Sequence, residues 1–358
     1  MTEKHSDLDH TDLIVNQILD QLDVVNNRDV LRHLISSAVT IAGSDFERLD
    51  LKIASDSLRE LANAFRVFEP YRLQRKITLF GSARIGATDP TYKVAVEVAQ
   101  RLAKRGWMTV TGAGLGIMQA GLEGAGPEMS FGVNIKLPHE QYANHVIAND
   151  PKLVSMKYFF TRKLMLVKES HGFVIMPGGF GTLDESFEIL TLIQTGKAVP
   201  APVVLLDAEG GTYWHAWERF LEQEAVSRGF ISPPDQALYL ITHSIEDAVN
   251  EITNFYLNYH SQRFVGDRLI IRTKSSVTDE ELDYLNDSFS DICSDGKIEK
   301  VDATPQEVAD NDWPALFRLS LAFNQVSHGR LRSLINAINK LPSATESGTP
   351  SAKASRGL

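Results

Sequence analysis

The sequence predicts an α/β fold: a Rossmann-like, doubly wound parallel sheet with a helical cap at the N-terminus and a small α+β appendix at the C-terminus. Three observations lead there. From Lys76 onward, short apolar runs alternate with amphipathic helical stretches, the pattern of a parallel sheet covered on both faces. Glycine turns at Gly81, Gly112 and Gly178 each follow such a run, which puts them on one edge of the sheet, where open α/β folds bind ligands. Residues 11–67, by contrast, keep helical spacing with no strand among them.

Composition narrows the class. A chain of 358 residues, 43% hydrophobic and 23% charged, is long enough for a full core and reads as globular. Its formal net charge of -10 argues against generic nucleic-acid binding. A single cysteine, Cys293, excludes an intrachain disulfide, and no Cys/His cluster has zinc-site spacing, so no metal or cofactor is expected. No apolar run reaches membrane-spanning length and the first residues are polar, so the expected setting is the cytoplasm, with no membrane partner.

The organisation expected is a helical extension over 1–70, a Rossmann-like domain over 71–262, a small α+β region over 263–341 and a disordered tail over 342–358. In the first part Leu13, Ile14, Ile18 and Leu22, then Leu31, Leu34 and Ile35, then Leu51 to Phe65 recur at helical spacing, with Asp45 as an N-cap for the third helix. Strands follow at Ile77–Phe80, Trp107–Val110, Phe131–Ile135, Phe173–Met176, Val203–Leu206 and Leu238–Ile241. Helices lie between and after them at Tyr92–Lys104, Tyr158–Ser170, Trp214–Val226 and Ile245–Tyr259. Beyond Gly266, strands at Leu269–Ile271, Lys297–Val301 and Leu316–Leu321 and helices at Asp279–Ile292 and Leu331–Leu341 make the appendix. The Ser/Thr/Gly/Ala/Lys-rich stretch from Pro342 reads as a tail.

Pro177-Gly178-Gly179-Phe180-Gly181-Thr182-Leu183-Asp184-Glu185 is the stretch with the most chemistry in it. An apolar strand breaks on Pro-Gly-Gly and a helix begins at once, so main-chain N–H groups and the positive end of a helix dipole face an anion without any lysine. Carboxylates in that same first turn compete with a bound phosphate, so Asp184 or Glu185 should have a separate task. Two readings of Glu185 stand level on spacing alone. Thr182 with Glu185 matches a capping box, and a carboxylate one turn from a phosphate site matches catalysis.

The other glycine turn, Gly112-Ala113-Gly114-Leu115-Gly116-Ile117-Met118, misses the dinucleotide template because position 117 is Ile117 and no acidic residue ends the next strand. No Walker lysine follows any turn, and His139-Glu140 lacks a second histidine four residues on, since the next is His145. The helix at Tyr158–Ser170 is apolar on nearly every side and should be largely buried. Arg162 and Lys163 interrupt it. A guanidinium there needs an anionic ligand, a structural salt bridge or a route to solvent.

Taken together, the Pro177 to Glu185 motif, the Arg162-Lys163 pair and the turns at Gly81-Ser82 and Gly112 to Met118 resemble the Lonely Guy (LOG) family of nucleoside 5′-monophosphate phosphoribohydrolases, in which an Arg-Lys pair precedes P-G-G-x-G-T-x-x-E. The likeness covers roughly 76–259, and the two end regions are similar to those of longer family members. It implies a Rossmann-like homodimer or higher homo-oligomer that cleaves the N-glycosidic bond of AMP or an N6-substituted cytokinin nucleotide. It implies Glu185 and Arg162 as the catalytic pair and Gly178, Gly179, Gly181 and Thr182 as the phosphate cradle. Ser82, Met118 and Lys163, with Gly81, Gly112, Gly114 and Gly116 in their turns, would lie against the nucleotide. Gln119 departs from the glutamate of many long members. Relatives of this fold also include a molybdenum-cofactor carrier, which makes non-hydrolytic binding the alternative, and others labelled lysine decarboxylases, for which no pyridoxal phosphate site is recognisable.

Overall fold

The computed structural model describes residues 3–22, 26–136 and 143–345. The chain divides into two units, Met1–Arg59 and Glu60–Leu358. The first holds α1 (Glu3–Gln21), α2 (Arg28–Ala42) and the start of α3 (Arg48–Phe68). Within this unit Val15 and Leu19 of α1 are buried, while α2 buries no residue. Helix α3 starts at Arg48, too late for Asp45 to cap it as the sequence had led us to expect.

The second unit opens its sheet with β1 (Lys76–Phe80), α4 (Pro90–Lys104), β2 (Met108–Thr111), α5 (Ile117–Ala125), β3 (Ser130–Ile135), β4 (Leu153–Met156) and α6 (Phe159–Lys168). It continues with β5 (Phe173–Ile175), α7 (Phe180–Gln194), β6 (Val203–Leu206), α8 (Tyr213–Phe220), β7 (Leu240–Thr242) and α9 (Ile245–Asn254). The strands form one seven-stranded sheet in the order β4-β3-β2-β1-β5-β6-β7, parallel throughout. Alternation along the strands splits the core in two, as a doubly wound sheet requires. Ile77, Leu79, Val174 and Leu206 face α4 and α9, and Phe80, Phe173, Ile175 and Leu205 face Met165, Ile189 and Trp214 on the other side. Strand order reverses between β1 and β5. The turns after these two strands therefore flank the crevice at the switch point.

The remainder comprises β8 (Tyr259–Val265), β9 (Arg268–Thr273), α10 (Asp279–Phe289), β10 (Cys293–Val301), α11 (Pro305–Ala309), β11 (Phe317–Phe323), α12 (His328–Lys340) and α13 (Pro342–Thr345). Its strands form an antiparallel sheet, β10-β11-β9-β8. Leu269, Ile271, Leu319 and Leu321 join Leu334 and Ile338 of α12 in the same core cluster as Ile77 and Val174, so the small sheet closes onto the large one. Glu307, fully buried, is held by Arg272 at 2.7 Å and Arg318 at 3.1 Å, which satisfies a charge that would otherwise oppose folding.

Four expectations need correction. The helix read as Ile245–Tyr259 ends at Asn254, and Tyr259 begins β8, which the sequence reading missed. Phe255, Tyr256 and Tyr259 continue the apolar spacing, but they are core side chains of a connection and a strand start, and β8 itself is mostly polar. A boundary at 262 falls inside β8. Pro342–Thr345, assigned to a disordered tail, form α13 with Ala344 buried. Tyr213–Phe220 is α-helical, but Leu221–Val226 winds into a π-helical segment.

Candidate active site

Helix α7 begins at the turn after β5, and its N-cap is Gly179, which has no side chain to cap with. The N–H of Leu183 is the first to close a helical bond, onto the Gly179 carbonyl at 3.1 Å. Among the described residues, the N–H groups of Phe180, Gly181 and Thr182 have no backbone acceptor. Around Gly179 and Gly181 there is open space where a side chain would stand. Free donors, an aligned helix dipole and bare backbone together make an anion-receptive turn.

The capping box between Thr182 and Glu185 does not form, because the helix starts earlier than that pattern needs and Thr182 lies inside the first turn. Glu185 is therefore released from capping and turns inward. It is only 6% exposed, and its Oε2 is buried with no hydrogen-bond partner among the described residues. Burial pushes its pKa up to about 7, against the nearby positive charges of Lys163 and then Arg162, while Glu188 and Asp184 push the same way as burial. Desolvation outweighs both cations.

Helix α6 supplies those cations. The nitrogen Arg162 Nε donates to the Val133 carbonyl at 2.9 Å, and no ion pair joins Arg162 to Glu185 among the described residues. Burial lowers the Arg162 pKa while Glu185 opposes the shift. Lys163 pairs with Asp184 at 2.8 Å and Glu188 at 3.0 Å, one carboxylate on each side of Glu185 in sequence. The carboxyl of Glu60, from α3, takes the Lys157 N–H at 2.7 Å and the Thr161 hydroxyl at 2.8 Å, and so anchors the start of α6. That helix is less buried than its composition implies. Thr161, Met165, Leu166 and Val167 face the core, but Phe159, Phe160 and Leu164 are exposed, as is Phe180 at 93%.

The turns after β1 and β2 close on the same crevice. Gly112 leaves the space that one terminal nitrogen of Arg162 occupies, with Met118 Sδ also close by. The methyl end of Met118 covers Gly114. Gly116 sits at φ +64° with its α-carbon against the Ser82 carbonyl, which accepts the Ile117 N–H at 3.0 Å. Gly81 faces the Ile117 side chain. The Ser82 N–H donates to the Pro177 carbonyl at 3.1 Å, tying the first turn to the third, and Gly178 lies tight against Thr182 Oγ1 and near Ser82 N. These contacts tie the turns after β1, β2 and β5 to one another. His139 and Glu140 lie outside the described residues, and the side chain of His145 is exposed.

Sequence reading missed three supports. The amide of Asn144, almost fully buried, donates to the carbonyls of Ala113 at 3.1 Å and Gly114 at 2.8 Å and shapes the second turn. Tyr213 donates its hydroxyl to the Gly178 carbonyl at 2.6 Å. Glu60 is the third. None carries a local signal, since each acts on a segment distant in sequence. Gln119 is turned away along α5, its amide donating to Glu123 at 2.8 Å while Tyr92 donates to the same carboxylate at 2.7 Å.

Fold and site define an open α/β protein with an anion-receptive glycine turn beside a buried, protonatable carboxyl. The chain belongs to the Lonely Guy (LOG) family. Residues 102–252 match the family described as "Possible lysine decarboxylase". An Arabidopsis thaliana protein named "Probable cytokinin riboside 5′-monophosphate phosphoribohydrolase" is 30% identical over 163 residues, 44% of this chain and 78% of the relative. A Mycobacterium tuberculosis protein named cytokinin riboside 5′-monophosphate phosphoribohydrolase is 27% identical over 172 residues, 46% of this chain and 88% of the relative. The molybdenum cofactor carrier protein of Chlamydomonas reinhardtii superposes with a TM-score of 0.34 at 19% identity, over 49% of this chain and 94% of that one, a likeness too slight to bear on function.

Proposed function

We propose that this protein hydrolyses the N-glycosidic bond of purine nucleoside 5′-monophosphates, AMP or N6-substituted cytokinin nucleotides, releasing free base and ribose 5-phosphate. The observation that carries this reading is the buried, unpartnered Glu185 carboxyl one turn inside a helix whose leading N–H groups are free. The 5′-phosphate sits on the backbone of Gly178, Gly179, Gly181 and Thr182, which hands the anomeric carbon to Glu185. As the C1′–N bond breaks, its electron pair leaves with the base and C1′ takes on oxocarbenium character, which the carboxylate stabilises. Water adds to C1′ and gives its proton to Glu185; the base is released after taking up a proton. Arg162 steadies the substrate beside Gly112, and Lys163 holds Asp184 and Glu188 aside.

The label of lysine decarboxylase fits this site less well. Burial lowers the Lys163 pKa, but its bonds to Asp184 and Glu188 outweigh burial and raise it, which keeps the amine protonated and opposes Schiff-base formation. Incubating the purified protein with a panel of nucleoside monophosphates and resolving the products by chromatography tests the proposal. Release of adenine and ribose 5-phosphate from AMP is expected. Tight binding of the panel with no cleavage would replace the hydrolase with a carrier.

The pH profile follows from the same carboxyl. Glu185 must be ionised to act, so kcat should rise with pH through a limb near 7. Lys163 is the strongest of the groups that favour the ionised form, so K163M should move the limb to higher pH. An unmoved limb would place the titration elsewhere. We also assign the working form as a homodimer or larger homo-oligomer in the cytoplasm, with no nucleic-acid or membrane partner, on the exposed Phe159, Phe160, Leu164 and Phe180 and the net charge of -10. Light scattering on the eluted protein should give a multiple of the 39.8 kDa chain mass.

A further inference from the structure

Tyr213 lies outside every motif, yet the turn after β6 is built to aim it at Gly178. Asp207 ends that strand buried, accepts the Ala208 N–H at 2.8 Å and takes the Tyr213 N–H at 3.2 Å. The ring of His243 bonds the Gly211 carbonyl at 2.8 Å and holds the far side of the turn. Trp214, fully buried, bonds the Leu206 carbonyl at 3.3 Å and meets the Tyr213 ring edge-on, 4.8 Å between centroids. Fixed on both sides, the Tyr213 hydroxyl reaches the Gly178 carbonyl at 2.6 Å.

That carbonyl has a competing partner. An α-helix begun one residue earlier would direct the Thr182 N–H onto the carbonyl of Gly178, four residues back. In this structure the bond is absent, and helical bonding begins with Leu183 onto Gly179. We propose that Tyr213 is a positioning residue for the phosphate-binding turn: its hydroxyl draws the Gly178 carbonyl off the helix axis and so reserves the Thr182 N–H for the 5′-phosphate of the substrate. Without the hydroxyl, the carbonyl relaxes toward Thr182, the helix gains a residue and the cradle loses a donor. The inference rests on the phosphate placement proposed above.

The test uses the full chain and the variants Y213F, T182P and Y213F/T182P. Y213F deletes only the hydroxyl, and T182P deletes the donor itself at the third helical position, where the N–H bonds no carbonyl among the described residues. In Y213F, KM for AMP and Kd for ribose 5-phosphate are expected to rise about tenfold, the range for one hydrogen bond to a charged group. The value of kcat should change less than twofold, adenosine inhibition should be unchanged and Tm should stay close to wild type. T182P should show the same loss, and Y213F should add nothing to it. Equal ribose 5-phosphate affinity in Y213F and wild type would overturn the proposal, as would parallel losses for adenosine and ribose 5-phosphate with a lowered Tm, or additive losses in the double variant. If wild type itself fails to bind ribose 5-phosphate, the phosphate placement falls first, and that result is separate from a failure of Tyr213 alone.

Discussion

Glu185→Gln is expected to leave AMP binding within a fewfold of wild type while lowering kcat about a thousandfold, the scale lost when a carboxylate that both activates water and stabilises developing positive charge is neutralised. The same variant carries a stability signature of the carboxyl's burial. The Glu185 pKa rises from 4.5 to about 7 on folding, so between those values the folded protein keeps a proton that the unfolded chain has released. Stability therefore falls as pH rises through that window. By pH 8 the buried carboxylate opposes folding by about 3 kcal/mol, at 1.36 kcal/mol per pKa unit. Glutamine never ionises and escapes this penalty. The Tm of E185Q minus that of wild type should thus grow by about 4 °C between pH 5 and pH 8, the scale at which a few kcal/mol shifts the melting of a chain this large. Thermal melts at the two pH values, run beside an AMP assay, check both parts. Full activity in E185Q would remove Glu185 from the mechanism, and a Tm difference indifferent to pH would overturn its raised pKa.

Gly112→Ala should separate activity from stability. A methyl group at that position overlaps the terminal nitrogen of Arg162 and crowds Met118 Sδ, and both are flexible side-chain ends that can swing aside. The fold should therefore lose less than about 1 kcal/mol, within the range of a modest substitution. The guanidinium, however, is moved from the crevice. An error of about 1 Å in a group that orients substrate lowers rate on the order of a hundredfold, and kcat/KM for AMP should fall by that much. R162A should fall equally, and the double variant G112A/R162A no further, since both remove one interaction. Additive losses would mean that Arg162 and Gly112 act separately. Gly116→Ala supplies the contrast: its positive φ and the Ser82 main chain against it cannot yield, so that variant should lose stability as well as activity.

How far the sequence reached depends on the range of the interaction being read. The strand–turn–helix unit from Phe173 to Glu185 was legible because each of its signals is local: an apolar β-type run, Pro-Gly-Gly, then helical spacing. Thr182 and Glu185 show where locality ends. Their spacing is that of a capping box, yet the turn begins the helix at Gly179, and that shift of register converts Glu185 from a cap into a buried carboxyl. The apolar run on α6 likewise named a buried helix but could not say that Phe159, Phe160 and Leu164 would face outward. Glu60, Asn144 and Tyr213 were beyond reach, since each satisfies backbone groups of a segment far along the chain.

By itself the sequence determined the element types and the residues able to do chemistry, because periodicity and turn preference are set by each residue's own backbone and side chain. Only the tertiary structure decided what those residues became. Burial raised the pKa of Glu185, parallel pairing of β1 with β5 brought Ser82 to Pro177, and close approach at Gly112 made room for Arg162. Desolvation and close packing are properties of neighbours in space, and the linear order of residues does not record them.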